Sequence, residues 1–385
     1  SSGDTSGTFT IPVLADSTAE AEEVVTVKFT RPSNAFVSPT DGLSDSNNYV
    51  TTARLTITDD DSISVTEQSI VANSGGNHAG GAVDVKIADI DGDGDMDIVS
   101  SSHSEKQIRW HENDGSSTNW TSTVIAEDTH PNGFYASRGI HIADMDDDGD
   151  LDIVAASQQN NRVSWFENDG SANPSFSSTV IATTAQDARD VHVGDMDGDG
   201  DLDIVSASGA DDTIAWYEND GAADPTFTAA DIATNADGAE DVKIADIDGD
   251  GDLDIVSASQ NDNTIAWYEN DGAANPTWSA VDISTSVNGA FGVAIGDIDN
   301  DGDLDIVSAA YNNHTIWLHE NNGESNPTWT NSSLITDSTD IHSPEDVKLA
   351  DFDNDGDLDI IISASESDKV VMLDNDGANN PTFSK

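Results

Sequence analysis

Asp89, Asp91, Asp93, Asp95 and Asp97 occupy alternate positions of one nine-residue segment whose sixth residue is Gly94. The same DxDxDGDxD arrangement returns five times. Its carboxylates are Asp144, Asp146, Asp148, Asp150 and Asp152 in the second copy, and Asp195, Asp197, Asp199, Asp201 and Asp203 in the third. Asp246, Asp248, Asp250, Asp252 and Asp254 make the fourth, Asp297, Asp299, Asp301, Asp303 and Asp305 the fifth, and Asp351, Asp353, Asp355, Asp357 and Asp359 the sixth. At separations of roughly 4 to 5 Å these like charges cost on the order of several kcal/mol per loop, and one divalent cation with oxygen ligands removes most of that. The expected chemistry is the binding of a hard cation, calcium above all, at about six ions per chain.

The spacing separates this loop from an EF-hand, which shares the Asp-Asp-Asp-Gly beginning but needs a bidentate Glu at position 12 and helices on both flanks. Position 12 here is Ser100, Ala155, Ser206, Ser257, Ser308 or Ile362, and the flanks (Val242 to Ala245 and Leu253 to Ala258 in the fourth copy) are strand-like. A strand, loop, strand hairpin follows. Positions 1, 3, 5 and 9 would donate side-chain oxygens and position 7 its backbone carbonyl, with glycine at position 6 allowing the reversal. Solvated acidic turns or a disordered polyacidic run are the bland alternative, but disorder does not hold one register through six copies.

The loops recur every 51 to 55 residues, so the elements that position them must repeat as well. Each period holds four strand-sized segments; in the fourth they are Val242 to Ala245, Leu253 to Ser259, Thr264 to Glu269 and Trp278 to Ile283. Asn270-Asp271-Gly272 turns the third into the fourth, with counterparts at 113–115, 168–170, 219–221, 321–323 and 375–377. No helical periodicity occurs in the repeats. Four short strands per period predict an all-β, six-bladed β-propeller of four-stranded blades over residues 62–385, with seven blades as the alternative. Residues 62–72 (SISVTEQSIVA) read as a fourth strand with no blade before it, placed to pair with the last blade and close the ring. Ile98, Val99 and their equivalents are the expected core. Trp110, Trp165, Trp216, Trp267, Leu318 and Met372 form one aligned row, which favours packing between blades over a sugar-stacking surface. Residues 1–61 lack the repeat and form a separate short β segment with too few strands for a sandwich.

Composition narrows the function. Thirteen Lys and Arg against 75 Asp and Glu give a formal charge of −62, which opposes nucleic acid and anionic membrane surfaces as direct partners. Six calcium ions would leave roughly −50, a charge suited to saline, calcium-rich water, where screening is strong. The absence of Cys excludes disulfides and thiolate metal sites. No apolar run approaches membrane-spanning length and no signal peptide is present, so a soluble, processed, extracellular or cell-surface segment is expected. No HExxH, GxSxG or phosphate-cradling loop stands in context, and nearly all the carboxylate pairs belong to the acidic loops, so no catalytic residues are assigned. Three residues before each loop stand Lys86, His141, His192, Lys243, Ala294 and Lys348. Neutralisation of the acidic loops is the first reading of that row, and an anion held by a basic ring in a central channel is the second. The segments between repeats vary most, and Tyr135, Phe134, His130 and His342 are the recognition candidates on that rim.

The core DIDGDGDLDIV, preceded by AEDVKIA and followed by TIAWYENDG, resembles the FG-GAP or VCBS repeat family, the blades of integrin-α-like propellers common in secreted bacterial proteins. The family's FG and GAP dipeptides themselves are not evident. The resemblance implies ligands at Asp89, Asp91, Asp93 and Asp97 and at the matching positions of the other copies. Asp16, Glu20 and Glu23, with TVKF and LTITDDD, resemble the second half of a Calx-β domain whose first half is absent, and strand addition from another chain could supply it. The combined expectation is a non-catalytic adhesion or ligand-binding module for a glycan or protein at the loop rim. A filament or surface-layer subunit assembling through residues 1–61, and a propeller-fold polysaccharide lyase or hydrolase, are the alternatives.

Overall fold

The computed structural model describes residues 82–103, 105–115, 120–127, 137–352, 355–378 and 381–385, together with the backbone of 6–12 and 24–30. The expected closing strand at 62–72, the Calx-β-like acidic residues Asp16, Glu20 and Glu23, the rim residues His130, Phe134 and Tyr135, and Asp353 of the sixth loop lie outside the described residues. Strands β1 (Ser6–Pro12) and β2 (Val24–Thr30) pair antiparallel as a two-stranded ribbon.

Everything else described is repeat. The first blade comprises β3 (Ala82–Ala88), β4 (Asp97–Ser102), β5 (Gln107–Asn113) and β6 (Trp120–Glu127). The second comprises β7 (Ser137–Ala143), β8 (Asp152–Ser157), β9 (Arg162–Asn168) and β10 (Phe176–Ala182), and the third β11 (Ala188–Gly194), β12 (Asp203–Ser208), β13 (Thr213–Asn219) and β14 (Phe227–Ala233). The fourth comprises β15 (Ala239–Ala245), β16 (Asp254–Ser259), β17 (Thr264–Asn270) and β18 (Trp278–Ser284), and the fifth β19 (Ala290–Gly296), β20 (Asp305–Ala310), β21 (Thr315–Asn321) and β22 (Trp329–Thr336). The sixth comprises β23 (Pro344–Ala350), β24 (Asp359–Ala364), β25 (Lys369–Asn375) and a two-residue β26 (Phe383–Ser384). All six are antiparallel meanders, so the all-β, six-bladed expectation holds, and no helix occurs among the described residues.

The second strands show why blades must stack. In β16 every residue of DIVSAS is buried, because both faces of the strand are covered. Val205, Ile214 and Trp216 of the third blade meet Val242, Ile255 and Tyr268 of the fourth in one cluster, and the other packed blade pairs repeat it. Trp110, Trp165, Trp216 and Trp267 are 1% to 3% exposed inside these contacts, which leaves no indole face free for a sugar. The outer strands are exposed along much of their length (Thr228 to Asp231 in β14), as strands on a solvated rim should be.

Five blade junctions are alike and one is not. Ile140, Val191, Val242, Val293 and Val347, at one position of the first strands, are at most 1% exposed, whereas the equivalent Val85 is 57% exposed, and Ile87 and Met96 beside it reach 68% and 60%. An asparagine amide also spans each packed junction: Asn168 Nδ2 donates to Ile90 O at 2.9 Å, and Asn219, Asn270, Asn321 and Asn375 donate likewise to Met145, Met196, Ile247 and Ile298. Among the described residues, Asn113 Nδ2 reaches only Met96 O of its own blade. Among the described residues, the seam between the sixth and first blades is therefore the one junction without the packed interface.

Candidate metal centres

Each acidic loop bridges the first hairpin of its blade, and its two ends are drawn together by the ladder. Ala245 pairs with Asp254, and the residue before each loop pairs with the ninth-position Asp in the same way in the other five blades. Two left-handed residues make the reversal. Gly at position 6 has φ between 97° and 102° in all six copies, a region open in practice to glycine alone. Position 4 is also left-handed (Gly92 at 71°, Asp147 at 57°, Asn300 at 60°), which explains the restriction to Gly, Asp or Asn that the sequence shows there.

Hydrogen bonds hold the carboxylates inward. Asp89 accepts from the amides of Asp93 (3.1 Å) and Gly94 (2.9 Å), and Asp93 accepts from the amide of Asp95 at 2.9 Å. Asp97 takes the Ile90 amide on one oxygen and the Asn113 amide on the other, and Trp110 Nε1 adds a bond of 2.9 Å. The ninth position is thus both a member of the cluster and the bolt between loop and third strand. Trp165, Trp216 and Trp267 lie close enough to act on Asp152, Asp203 and Asp254 without reaching hydrogen-bond geometry.

Three carboxylate oxygens converge within 4.8 Å in five of the loops: Asp89, Asp91 and Asp97; Asp144, Asp146 and Asp152; Asp195, Asp197 and Asp199; Asp246, Asp248 and Asp250; and Asp297, Asp299 and Asp305. Positions 1 and 3 appear in every cluster, joined by 9 in three and by 5 in two, which are the four side-chain donors expected. Asp146 Oδ1 and Asp246 Oδ1 are buried with no hydrogen-bond partner. Burial, and then neighbouring Asp, raise the carboxyls of Asp91, Asp146, Asp197, Asp248 and Asp299 above the ordinary range. Burial pushes Asp152, Asp203, Asp254 and Asp305 up to about 7 and also raises Asp359. An all-oxygen, all-carboxylate set with orphaned buried acceptors fits a hard divalent cation.

Position 7 behaves differently. The carboxylates of Asp95, Asp150, Asp201, Asp252, Asp303 and Asp357 lie against the glycine of the Asn-Asp-Gly turn in the same blade, and none joins a cluster. A Cβ on Gly272 would sit 2.6 Å from Asp252 Cγ, and Gly272 has φ of 63°. The turn is therefore part of the site. Its Asn caps its own Gly amide, donates that side-chain amide to the previous blade, and its backbone N–H binds the ninth-position Asp (Asn270 N to Asp254 Oδ1, 2.8 Å). Sequence reasoning saw the turn in register with the loop but not this second role.

The basic row before the loops does not neutralise them, and here the first reading is corrected. Lys86 Nζ lies 2.6 Å from Asp84, Lys243 binds Asp190 at 3.0 Å and also Asp241, and Lys348 lies 2.8 Å from Asp346. These partners sit on the inner strands, five residues before a loop, because side chains two apart share a strand face. Asp84 Oδ2 further accepts the Ile140 amide (2.9 Å) and Asp241 the Val293 amide (2.8 Å) of the next blade. His342 stacks on His314 with ring centroids 4.1 Å apart and pairs with Glu366 at 2.7 Å.

The FG-GAP-like repeat pattern matches residues 89–155, 144–206, 195–257, 246–308 and 297–362, each window running from one loop into the strand after the next. No curated protein sequence matches the chain. Among solved structures, it is similar to an Agrocybe aegerita lectin recognising non-reducing terminal N-acetylglucosamine, at 20% identity over 78% of each chain with a TM-score of 0.53. It is also similar to a Lactobacillus plantarum protein (12% identity, 99% of this chain and 95% of that one, TM-score 0.53) and to the Dos1 propeller (10%, 91% and 74%, 0.52). At these identities the likeness is one of fold.

Proposed function

Because the chain belongs to the FG-GAP-like repeat family, we propose that it is a calcium-loaded β-propeller working outside the cell as a non-catalytic adhesion or ligand-binding module. The observation that carries the metal reading is the recurrence of three converging carboxylate oxygens in register in five loops, two of them with a buried oxygen left unpartnered. Positions 1, 3, 5 and 9 would hold the ion. A bound cation would cancel the repulsion within each loop and fix the first hairpin to the third strand through the ninth-position Asp. Loops of modest affinity stay loaded where calcium is millimolar, and a charge of −62 is tolerated best in salt, which together favour an extracellular or cell-surface setting.

The binding role is supported by the described segments between repeats, which join a fourth strand to the next first strand at the end of the blade opposite the acidic loops. A lectin of like fold that recognises terminal N-acetylglucosamine makes glycans the first ligand class to try. Metal analysis after dialysis against millimolar calcium tests the first half of the reading, with about six ions per chain expected and none retained as the refuting result. A glycan array and a turnover assay on the same sample test the second. Retention without product supports a binding module, and product formation would replace it with an enzyme.

A further inference from the structure

Five of the thirteen Lys and Arg residues, in a chain this acidic, line a single chamber on the propeller axis. All six inner strands contribute to its wall, and its volume is about 530 Å3, the size of a small-molecule site. The cations are Lys86, Arg138, Arg189, Lys243 and Lys348, facing six carboxylates. Four of the five are satisfied: the lysines by the inner-strand aspartates already described, and Arg189 by Asp187 (2.7 Å) and Glu240 (2.9 Å).

Arg138 is the exception. Its Nε is buried without a partner, and its guanidinium forms no ion pair among the described residues. An unpaired buried donor carries a desolvation cost, larger for a charged group, and an anion against it removes that cost. Gly139 follows Arg138 because the next inner strand comes close there, and a Cβ would meet Asp190 Cα at 2.7 Å. Three blades away, on the opposite wall, Gly292 is bare for the same reason and Phe291 stacks on Tyr311 with centroids 5.6 Å apart. His192 Nδ1, in the blade next to Arg138, is a second buried polar atom with no partner.

We propose that this axial chamber binds a small organic monocarboxylate bearing hydroxyl groups, gripped by the Arg138 guanidinium. The planar fork of arginine matches a carboxylate through two parallel hydrogen bonds. Carboxylates already slightly outnumber cations in the wall, and Arg138 is the one wall cation without an ion pair among the described residues, with Glu240, Asp187 and Glu345 acting on it only through their charge, so one added negative charge is met there and a dianion is not. His192 and Glu345, which makes no ion pair among the described residues, offer hydrogen bonds to hydroxyls, and Phe291 offers an apolar face. The site uses inner-strand residues only, so it stands or falls separately from the metal loops.

Isothermal titration of the full chain in saturating calcium with D-glucuronate and L-lactate, beside D-glucose and sodium sulfate, tests it. Saturable binding of at least one carboxylate, weakened tenfold or more in Arg138→Gln and without binding of glucose or sulfate, is expected. Arg138→Lys keeps the charge, loses the fork and should also weaken binding, which preserves the comparison if the Gln variant does not fold. Absence of binding by both carboxylates, equal affinity in the variants, or sulfate binding as tightly as the carboxylates would overturn the proposal.

Discussion

Stripped of metal, the protein is expected to lose stability as pH rises from about 6.5 to 8, a trend that bound calcium should flatten or invert. Asp152, Asp203, Asp254 and Asp305 have folded midpoints near 7 because burial penalises their charged form, while in the unfolded chain they titrate near 3.8. Across this interval the folded chain must release protons that the unfolded chain no longer holds, so folding weakens by about 1 kcal/mol per carboxylate. Glu240, raised to about 7 by burial, and Asp241, which burial also raises, act in the same direction. The buried His111, His141 and His319, lowered to about 4, and His192, lowered to about 3, oppose it: each returns about 0.4 kcal/mol as the unfolded imidazole loses its charge. With relaxation and water entry around the loops, the net fall is on the order of 2 kcal/mol, a few degrees of melting temperature for a domain of this size. Calcium captures the ionised form and adds about 4 kcal/mol per ion at a thousandfold excess over its Kd, so the trend should flatten or invert. Calorimetry in chelator and in 5 mM calcium chloride at matched ionic strength is the assay. A metal-free melting temperature that holds or climbs between pH 6.5 and 8 would refute the reasoning.

Six substitutions, two of them as matched controls at the seam, probe the rest. Asp254→Ala should give a folded protein that retains one ion fewer than wild type on metal analysis, since repeat arrays spread stability over neighbours. Gly272→Ala adds a Cβ at positive φ against Asp252 and should cost roughly 1 to 2 kcal/mol by denaturant titration. Asn270→Ala strips the donor from two carbonyls, one of them in the neighbouring blade, and should cost roughly 1 to 3 kcal/mol, more than Asn113→Ala at the seam. Val242→Ser should cost about 2 kcal/mol or more, whereas Val85→Ser at the exposed equivalent should stay within about 0.5 kcal/mol.

The sequence made the repeat legible because each blade must solve the same burial problem. Identical strand-loop-strand segments cannot hide their period, and the Trp110 to Trp267 row falls between blades as its spacing implies. The convergence of the carboxylates at positions 1, 3, 5 and 9 was also readable, since alternate residues in a tight turn come together. What escaped were contacts joining different periods. The partners of Lys243 include Asp190, which is 53 residues away on another inner strand, and nothing in the local pattern favours it over the nearer loop. The amide of Asn270 reaches Met196, 74 residues away, although the fixed register of Asn-Asp-Gly with the loop was a signal that the two are linked. Nor can six similar periods announce that one junction differs, because Val85 and Val242 stand in nearly the same words, AVDVKIA and AEDVKIA.

The seam also decides how the molecule should come apart. A wheel glued at every joint has no first spoke to fail, whereas five joints among the described residues leave two end sheets packed against a neighbouring blade on one flank only, with β1 lying against the third strand of the sixth. Opening would then begin at the outermost sheets and travel inward. Amide exchange should grade from fastest in Ala82–Asn113 and Pro344–Asn375 to slowest in the third and fourth sheets, which have a sealed neighbour on both flanks.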